Sequence, residues 1–429
     1  MQSEVVIIGG GPAGSTLGCY LSMAGISNTI IESAIHPREH VGESMVTAST
    51  RIFDEIGFLD TMEQERFVRK FGASWHPTMS NSSLHVEFAE VKQEGICQDH
   101  TYHVDRARFD LLLLKHAERL GSRVIQGVNV REVLFKDGVA NGVRAAIAGH
   151  ELNIPARVTV DASGRRTLLG SQLKLKETDP NFNQFAVHAW FERVERGERP
   201  GDIHIYFLPI KRGWVWQIPI NKTITSVGVV AEKEVFKAAK GDYETWFYKL
   251  AGSTPDIARA LKPAQRLNEL KVEADYSYQM TSFVGEGWML VGDAARFVDP
   301  IFSSGVSVAM HSAKFASEQI VSGLAKNNVS REALYPFEEK LKQGTKIWYE
   351  FISLYYRLLP VFTLFISNKV YRNQVIQLLQ GDVYNYTEVP VLQAMRDFIK
   401  TVETTKGHLL QPYLDHDLQD ITNAPAPQE

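Results

Sequence analysis

"EVVIIGGGPAGS", residues Glu4 to Ser15, is the stretch that decides the fold. A short apolar run ends in glycines, and Gly9, Gly11 and Gly14 carry the G-x-G-x-x-G spacing. The first glycine permits a tight turn, the second lets a pyrophosphate approach the backbone, and the third lets the following helix pack close to the strand. That helix is expected from about Pro12 to Ala24, and its N-terminus offers N–H groups and positive dipole to phosphate. A second strand, "NTIIES" from Asn28 to Ser33, places Glu32 at its end, where an acid binds a ribose hydroxyl. Strand, helix, strand and acid in this order predict a right-handed βαβ start and a bound dinucleotide.

Working outward, "DRARFDLLLLKHAERL" (Asp105 to Leu120) has helical periodicity and a Gly121 stop. "SRVIQG" and "EVLFKDGVANGVRAAI" read as a strand and a hairpin leading to "ARVTVDASG", a further strand into a glycine turn. From Phe185 to Val230 the pattern becomes long alternating segments, which predict an antiparallel sheet and a separate lobe. "GWMLVGDAARFVDP" returns to strand, glycine and helix. Beyond about Arg331 the chain reads as helical and rich in aromatics, and it closes on a polar tail, "DLQDITNAPAPQE". No internal repeat is evident.

The bulk numbers exclude several classes. A chain of 429 residues accommodates two lobes and an appendage. A net charge of −4 argues against nucleic acid as a partner, because such proteins carry a basic stripe. The two cysteines, Cys19 and Cys97, lie far apart with no metal-like spacing, so neither a disulfide framework nor a metal site is expected, and a reducing cytoplasm is the expected compartment. The N-terminus lacks the features of a signal peptide. The apolar segment "LLPVFTLFI" (Leu358 to Ile366) is too short to cross a bilayer, so no membrane is expected.

Two later glycine segments choose between cofactors. "DASG" (Asp161 to Gly164) and "VGDAA" (Val291 to Ala295) each end a strand, and Gly292 and Asp293 can meet a second ribose or a ribityl chain. A helix after Asp293 is expected to aim its N-terminus at the cofactor. A chain that returns twice to one long cofactor suits FAD better than NAD.

G-x-G-x-x-G, "VDRARFD" (Arg106, Phe109, Asp110), "VDASG" and "VGDAA" together resemble the FAD-dependent monooxygenase and halogenase superfamily, over roughly residues 4 to 320. The resemblance implies an α/β fold. It comprises a Rossmann-like FAD-binding domain of the aromatic-hydroxylase type, an antiparallel-sheet substrate lobe and a C-terminal helical region. The FAD-binding domain is expected in three parts, 1–75, 106–180 and 276–330; the substrate lobe takes 76–105 and 181–275, and the helical region 331–429. Expected cofactor contacts are Gly9, Gly11, Ala13, Gly14, Glu32, Arg38, Ser44, Arg106, Gly292 and Asp293. Read without the resemblance, Arg106 is equally a surface cation at a helix start.

Three local features resemble the flavin-dependent halogenases of phenol and pyrrole type. "GWVWQIPI" (Gly213 to Ile220) matches W-x-W-x-I-P at Trp214, Trp216, Ile218 and Pro219. "FVDPIFSSG" matches F-x-x-P-x-x-S-x-G at Phe297, Pro300, Ser303 and Gly305. Lys70 in "RKFGASW" looks like the family's active-site lysine. On their own, the tryptophans read as core packing, "SSG" as a helix cap, and Lys70 as part of a solvated cationic turn.

The resemblance implies how these parts act. Reduced FAD and dioxygen give a C4a-hydroperoxide, from which chloride or bromide takes oxygen to yield hypohalous acid. Small-residue amides at Ser303, Ser304 and Gly305 suit the halide. Lys70 holds and polarises the halogen, its basicity tuned by burial. Trp214 and Trp216, with Pro219 and Phe297, stand between flavin and substrate, and Pro219 is expected to stop pairing at a sheet edge. A separate NAD(P)H flavin reductase is implied as the source of FADH2. The substrate is an electron-rich aromatic, a phenol or pyrrole, free or on a carrier protein, in natural-product biosynthesis. "QLLQGDVY" (Gln377 to Tyr384) favours the phenol and pyrrole types, and the tail aromatics either line a pocket or pack a helical layer. A flavoprotein monooxygenase, a prenyl-reductase-like oxidoreductase and a non-catalytic FAD-binding protein remain alternatives on the same scaffold.

Overall fold

The structure is a computed structural model that describes residues 3–77, 83–96, 98–147, 149–179, 181–273, 277–386 and 388–414. Cys97 and the polar tail lie outside the described residues.

The opening segment folds as its spacing predicts. Val5–Ile8 is a fully buried strand, Pro12–Met23 a helix, and Asn28–Glu32 a second strand parallel to the first. The six-stranded sheet they found runs in the order 284–285, 288–290, 158–161, 5–8, 28–32, 123–126. All neighbours are parallel except the 284–285 edge strand. Both faces are covered, as a parallel sheet requires. Helices 12–23 and 305–325 pack against each other, and Arg106–Leu120 lies beside them. A three-stranded antiparallel sheet, 129–155, stands alongside, with its first turn at Asp137-Gly138 in the left-handed conformation that hairpins favour.

The second lobe is an eight-stranded sheet. Its path is 265–266, 184–192, 224–232, 214–219, 203–207, 72–76 and 84–87, with 271–273 also on the 184–192 strand. Helices Tyr243–Ala251 and Pro255–Leu261 cover one face, around a cluster that includes Val187, Val215, Val229 and Phe247. The sheet departs from a purely antiparallel one at a single pair, because 72–76 runs parallel to 203–207. Gly72–His76 reaches the lobe from the first part of the chain, so no hairpin dictates its direction.

Two expectations need correcting. The strand Trp214–Pro219 is interior, bonded to 203–207 on one side and 224–232 on the other. Pro219 therefore ends a central strand opposite Thr225, at the turn into the next strand, and does not protect an edge. The segment after Asp293 is a single 3-10 turn, Gly292–Ala294, then a two-residue strand, Arg296–Phe297. The helix begins only at Gly305, after Pro300 and a left-handed Ser303.

The C-terminal helices, Arg331–Leu358, Thr363–Ser367, Arg372–Leu379 and Pro390–Thr404, form a layer over both lobes. Its aromatics are packing, which answers the question the sequence left open. Phe302 stacks on Phe351 at 4.6 Å, Tyr355 meets Phe362 edge-on at 4.6 Å, and Phe182 meets Tyr349 edge-on at 5.2 Å. Among the described residues no helix is long and apolar enough to cross a membrane, and no group of three or more His, Cys, Asp or Glu is arranged to hold a metal.

Candidate active site

A cavity of about 510 Å³ opens where the parallel strands end, the crevice in which such sheets bind ligands. Gly9, Gly11, Ala13, Glu32, Arg38, Ser44, Arg106 and Asp293 all line it. Gly14 and Gly292 do not; they lie beneath. A Cβ on Gly14 would sit 1.9 Å from the Gly9 carbonyl oxygen, so only glycine lets this helix approach its strand. Gly292 is left-handed, donates its N–H to Ser312 Oγ at 2.8 Å, and would place a methyl 3.0 Å from the Ala13 Cβ. It locks the second glycine segment between two helices.

The charges of the cavity suit a long, doubly phosphorylated ligand. Arg106 is buried, its Nε and Nη2 paired with the Asp110 carboxylate at 2.8 and 3.0 Å and its Nη1 donating to the Val41 carbonyl at 2.8 Å. It is not a surface cation. Asp110 also lies 3.5 Å from Arg38. Glu32 Oε2 accepts the Gly10 N–H at 2.7 Å and Oε1 the Ala34 N–H at 2.8 Å, tying the second strand to the glycine turn. Burial pushes the Asp293 carboxyl up to about 6, against Arg165 and Arg106, which pull it down. Open amides at the first turn of helix 12–23, nearby guanidinium groups and a buried acid fit the phosphates and hydroxyls of FAD.

Trp214, Trp216, Ile218 and Phe297 line the same cavity, whereas Pro219 does not. The two indoles have centroids 5.9 Å apart. Trp216 lies against Gly228, where a Cβ would come within 2.1 Å of the ring, and its Nε1 donates to Ser226 Oγ at 3.1 Å. Trp214 is held from the other side, with Nε1 donating to Tyr356 Oη at 3.1 Å. Both rings are thus fixed by a hydrogen bond as well as by packing, which makes a rigid wall rather than a loose core pair.

Lys70 is not part of a solvated turn. It ends the strand Val68–Lys70, paired with Thr101–His103, and is 3 % exposed. Its Nζ donates to Ser44 Oγ at 3.0 Å and to the Met45 carbonyl at 2.8 Å, and lies 5.6 Å from the Phe88 ring centroid. Burial pulls its pKa down from the usual 10.5 to about 7, opposed by the Asp202 carboxylate. Asp202 in turn is held by Ser74 Oγ and His85 Nδ1, each at 3.0 Å. Lys70 does not itself line the cavity; Ser44 does, so a single hydroxyl separates the amine from it.

Ser303 and Gly305 line the cavity, and Ser304 is buried behind them. The Ser303 amide is already committed to the Pro300 carbonyl at 3.0 Å, so it cannot serve as an anion donor as expected. Ser304 is the N-cap of helix 305–325, but its side chain makes no capping bond. The first helical bond runs from Val308 N–H to the Ser304 carbonyl, which leaves the amides of Gly305 and Val306 without a carbonyl one turn back. Both residues face the cavity.

The fold and the site define a flavin-dependent oxidoreductase scaffold with a tryptophan wall and a buried lysine. The tryptophan halogenase family model matches residues 4–100 and 87–360. A pyrrole-2-carbonyl-[peptidyl-carrier protein] chlorinase of Pseudomonas fluorescens is 44 % identical over 99 % of this chain and 98 % of its own. The corresponding brominase of Pseudoalteromonas luteoviolacea is 31 % identical over 88 % of this chain and 91 % of its own. Among solved structures, the flavin-dependent brominase Bmp2 superposes with a TM-score of 0.85 at 29 % identity, covering 94 % of this chain and all but 1 % of that one. The myxobacterial chondrochloren halogenase CndH gives 0.79 at 29 % identity, covering 99 % of this chain and 98 % of that one. The chain belongs to the flavin-dependent halogenase family, and it is an enzyme of that kind.

Several residues of the site escaped the sequence reading. Asp110 was named only as a residue of the "VDRARFD" motif, and nothing local showed that it pairs with Arg106 or that both are buried. Arg165 and Arg166, which line the cavity after the "DASG" turn, had position as their only signal. Glu43 lines the cavity beside Ser44, and Asp299 lies within the quoted "FVDPIFSSG" segment, yet neither was singled out; Asp202 and Tyr356 stand behind Lys70 and Trp214, outside the cavity, and no spacing points to them.

Proposed function

We propose that this enzyme uses FADH2, dioxygen and chloride or bromide to halogenate a pyrrole carried as a thioester on a carrier protein. The observation that carries the reading is the buried Lys70 amine, pinned by Met45 and by Ser44, which itself lines the tryptophan-walled cavity. The substrate class follows from the full-length likeness to the carrier-bound pyrrole chlorinase. The chemistry supplied by reduced FAD with dioxygen is oxidation of halide to hypohalous acid. FADH2 comes from a separate NAD(P)H flavin reductase, since the chain offers one dinucleotide fingerprint.

The chain's own residues do the rest. Amides of Gly305 and Val306, at the positive end of a long helix, hold the halide. Gly9, Gly11, Ala13 and Gly14 shape the pyrophosphate turn, and Glu32, Arg38, Ser44, Arg106, Gly292 and Asp293 frame the remainder of the cofactor. Trp214 and Trp216 exclude the pyrrole from the flavin side, so ring oxygenation is prevented. Lys70, as an ammonium, donates to the oxygen of hypohalous acid. A pyrrole carbon then attacks the halogen, the halogen–oxygen bond breaks, oxygen leaves as water, and the ring loses its proton. An amine held near 7 is poised to give and regain that proton at working pH.

The test is mass spectrometry of carrier-bound pyrrole after reaction with reduced FAD, oxygen and halide. Halogenated pyrrole from the wild type and none from Lys70→Ala is the expected result. Hydroxylated product alone would end the halogenase assignment for this substrate. Halogenation of free phenols but not carrier-bound pyrrole would move the substrate class.

A further inference from the structure

The tail helix Arg331–Leu358 does more than cover the site. Tyr356 on that helix places its Oη 3.1 Å from Trp214 Nε1, 2.9 Å from Gln184 Oε1 and 3.0 Å from Asp299 Oδ1. Trp214 and Tyr356 are each 2 % exposed, and Asp299 and Gln184 are buried. Asp299 sits in the segment Phe297–Gly305, and its Oδ1 also accepts the Ile301 N–H at 2.9 Å. One phenolic oxygen therefore joins the tryptophan wall to the turn that opens helix 305–325.

We infer that Tyr356 is a positioning residue for halide binding: through Asp299 it fixes, in register with Trp214, the turn that leads into Gly305 and Val306, two residues that line the cavity. This rests on the halide reading given above. Tyr356 touches neither cofactor cavity nor halide amides and acts through Asp299 and Trp214 alone.

Proton counting sharpens the picture. A phenol carries one proton, yet two oxygens, Gln184 Oε1 and Asp299 Oδ1, lie within bonding distance. Turning the Gln184 amide does not help, because its Nε2 donates to the Arg212 carbonyl at 3.2 Å and a reversed amide would oppose two oxygens there. All three contacts of Tyr356 are satisfied only if Asp299 is a neutral acid that donates to Tyr356, while Tyr356 donates to Gln184. The surroundings agree. Tyr355 and Tyr356 face Asp299 from the helix, and Gln184 and Trp214 lie beyond Tyr356 on the sheet. Burial pushes Asp299 up to about 7, against the Ile301 N–H and the Tyr356 hydroxyl, which pull it down.

The tail also presses on the same turn through its rings. Phe302 is stacked on Phe351 at 4.6 Å and meets Tyr355 edge-on at 4.9 Å. These apolar contacts hold the turn near the helix without setting its register. The directional contacts at Tyr356 do that.

The experiment uses the full chain with FAD and compares Tyr356→Phe, Trp214→Phe and the double variant. Tyr356→Phe keeps the ring and removes the junction. Its KM for halide is expected to rise about tenfold, the cost of one buried hydrogen bond. The rate at saturating halide and the flavin affinity stay within about twofold of wild type. Trp214→Phe removes the donor from the opposite side and should raise the halide KM as well. The double variant should lie no further from wild type than the worse single one, because both break one junction. An unchanged halide KM in Tyr356→Phe, or additive losses in the double variant, would overturn the inference. Failure of the wild type to halogenate at all would overturn the functional reading instead, so the two failures are distinct.

Discussion

Replacing Lys70 with methionine should end halogenation and make the protein more stable at neutral pH. Below pH 7 the amine is charged in the folded and the unfolded chain alike, and the folded form carries it without water. Holding the amine at about 7 instead of 10.5 corresponds to about 5 kcal/mol of cost to the folded state, at about 1.4 kcal/mol per pH unit. Methionine fills a similar volume but leaves Ser44 Oγ and the Met45 carbonyl without their donor, a loss of about 2 kcal/mol. The variant should therefore exceed wild type by about 2 to 3 kcal/mol at pH 6.5. The folded pKa is lowered, so between pH 7 and 10.5 the unfolded chain binds the extra proton and wild-type stability rises with pH. The variant has no such rise, and its advantage should shrink by about 3 kcal/mol by pH 9.5. Urea denaturation of both proteins at pH 6.5, 8 and 9.5 reads this directly, with product mass spectrometry alongside. A stability difference that does not change with pH would mean the amine is not strained by burial, and halogenated product from the variant would remove Lys70 from the chemistry.

The other expectations concern glycines and one acid. Gly14→Ala puts a methyl 1.9 Å from the Gly9 carbonyl oxygen, backbone that cannot step aside, so flavin titration should show at least a hundredfold loss of affinity. Gly228→Ala drives a methyl to 2.1 Å from the Trp216 ring; the indole must move toward the cavity, with about 1 to 3 kcal/mol lost in thermal denaturation and weaker flavin binding. Asp293→Asn should stabilise the flavin-free chain at pH 7.5 by about 3 kcal/mol, and the gain should disappear toward pH 4, because the buried acid of the wild type regains its proton near 6, before its unfolded counterpart does. Gly381→Val adds a side chain at a left-handed position and 2.8 Å from Val46 Cγ2, so the rate of halogenation should fall while flavin affinity holds.

The sequence was legible where local chemistry and position coincide. The strand, glycine turn and helix from Val5 to Met23 form as their spacing predicts, since each step is decided within a few residues. The tryptophan strand was visible for the same reason, as alternation along one segment. Its place in the sheet was not, because an interior position depends on which strands flank it, and Pro219 reads alike at either site. Lys70 shows the limit most clearly. Its neighbours Arg66 and Arg69 suggest a wet cationic turn, whereas Thr101–His103, Phe88 and Ser44, all distant in sequence, close over it. The helix expected after Asp293 fails because Pro300 and left-handed Ser303 delay it to Gly305. That delay puts Gly305 and Val306, at the start of the long helix, in the lining of the cavity that the tryptophans also line.

The tail binds the site at a second place, and the two attachments have one consequence. Gln380 offers its carbonyl to the Ala48 N–H at 2.9 Å and to Thr47 Oγ1 at 3.3 Å, and Gly381 packs directly on Val46. These residues follow Ser44 and Met45, which hold Lys70. Tyr356, meanwhile, grips Trp214 and Asp299. The distance between the lysine and the turn proposed for halide is thus set by one helical layer touching both, while the flavin crevice is built from other strands and helices. Flavin scaffolds that hydroxylate need no such spacing, because oxygen passes directly to a substrate in contact with the cofactor. The reaction proposed above does, since its oxidant is to leave the flavin side and meet the Lys70 amine behind the tryptophans. The tail, whose aromatics the sequence left open between lining a pocket and packing a helical layer, is on this reasoning the element that separates the two kinds of chemistry on a shared fold.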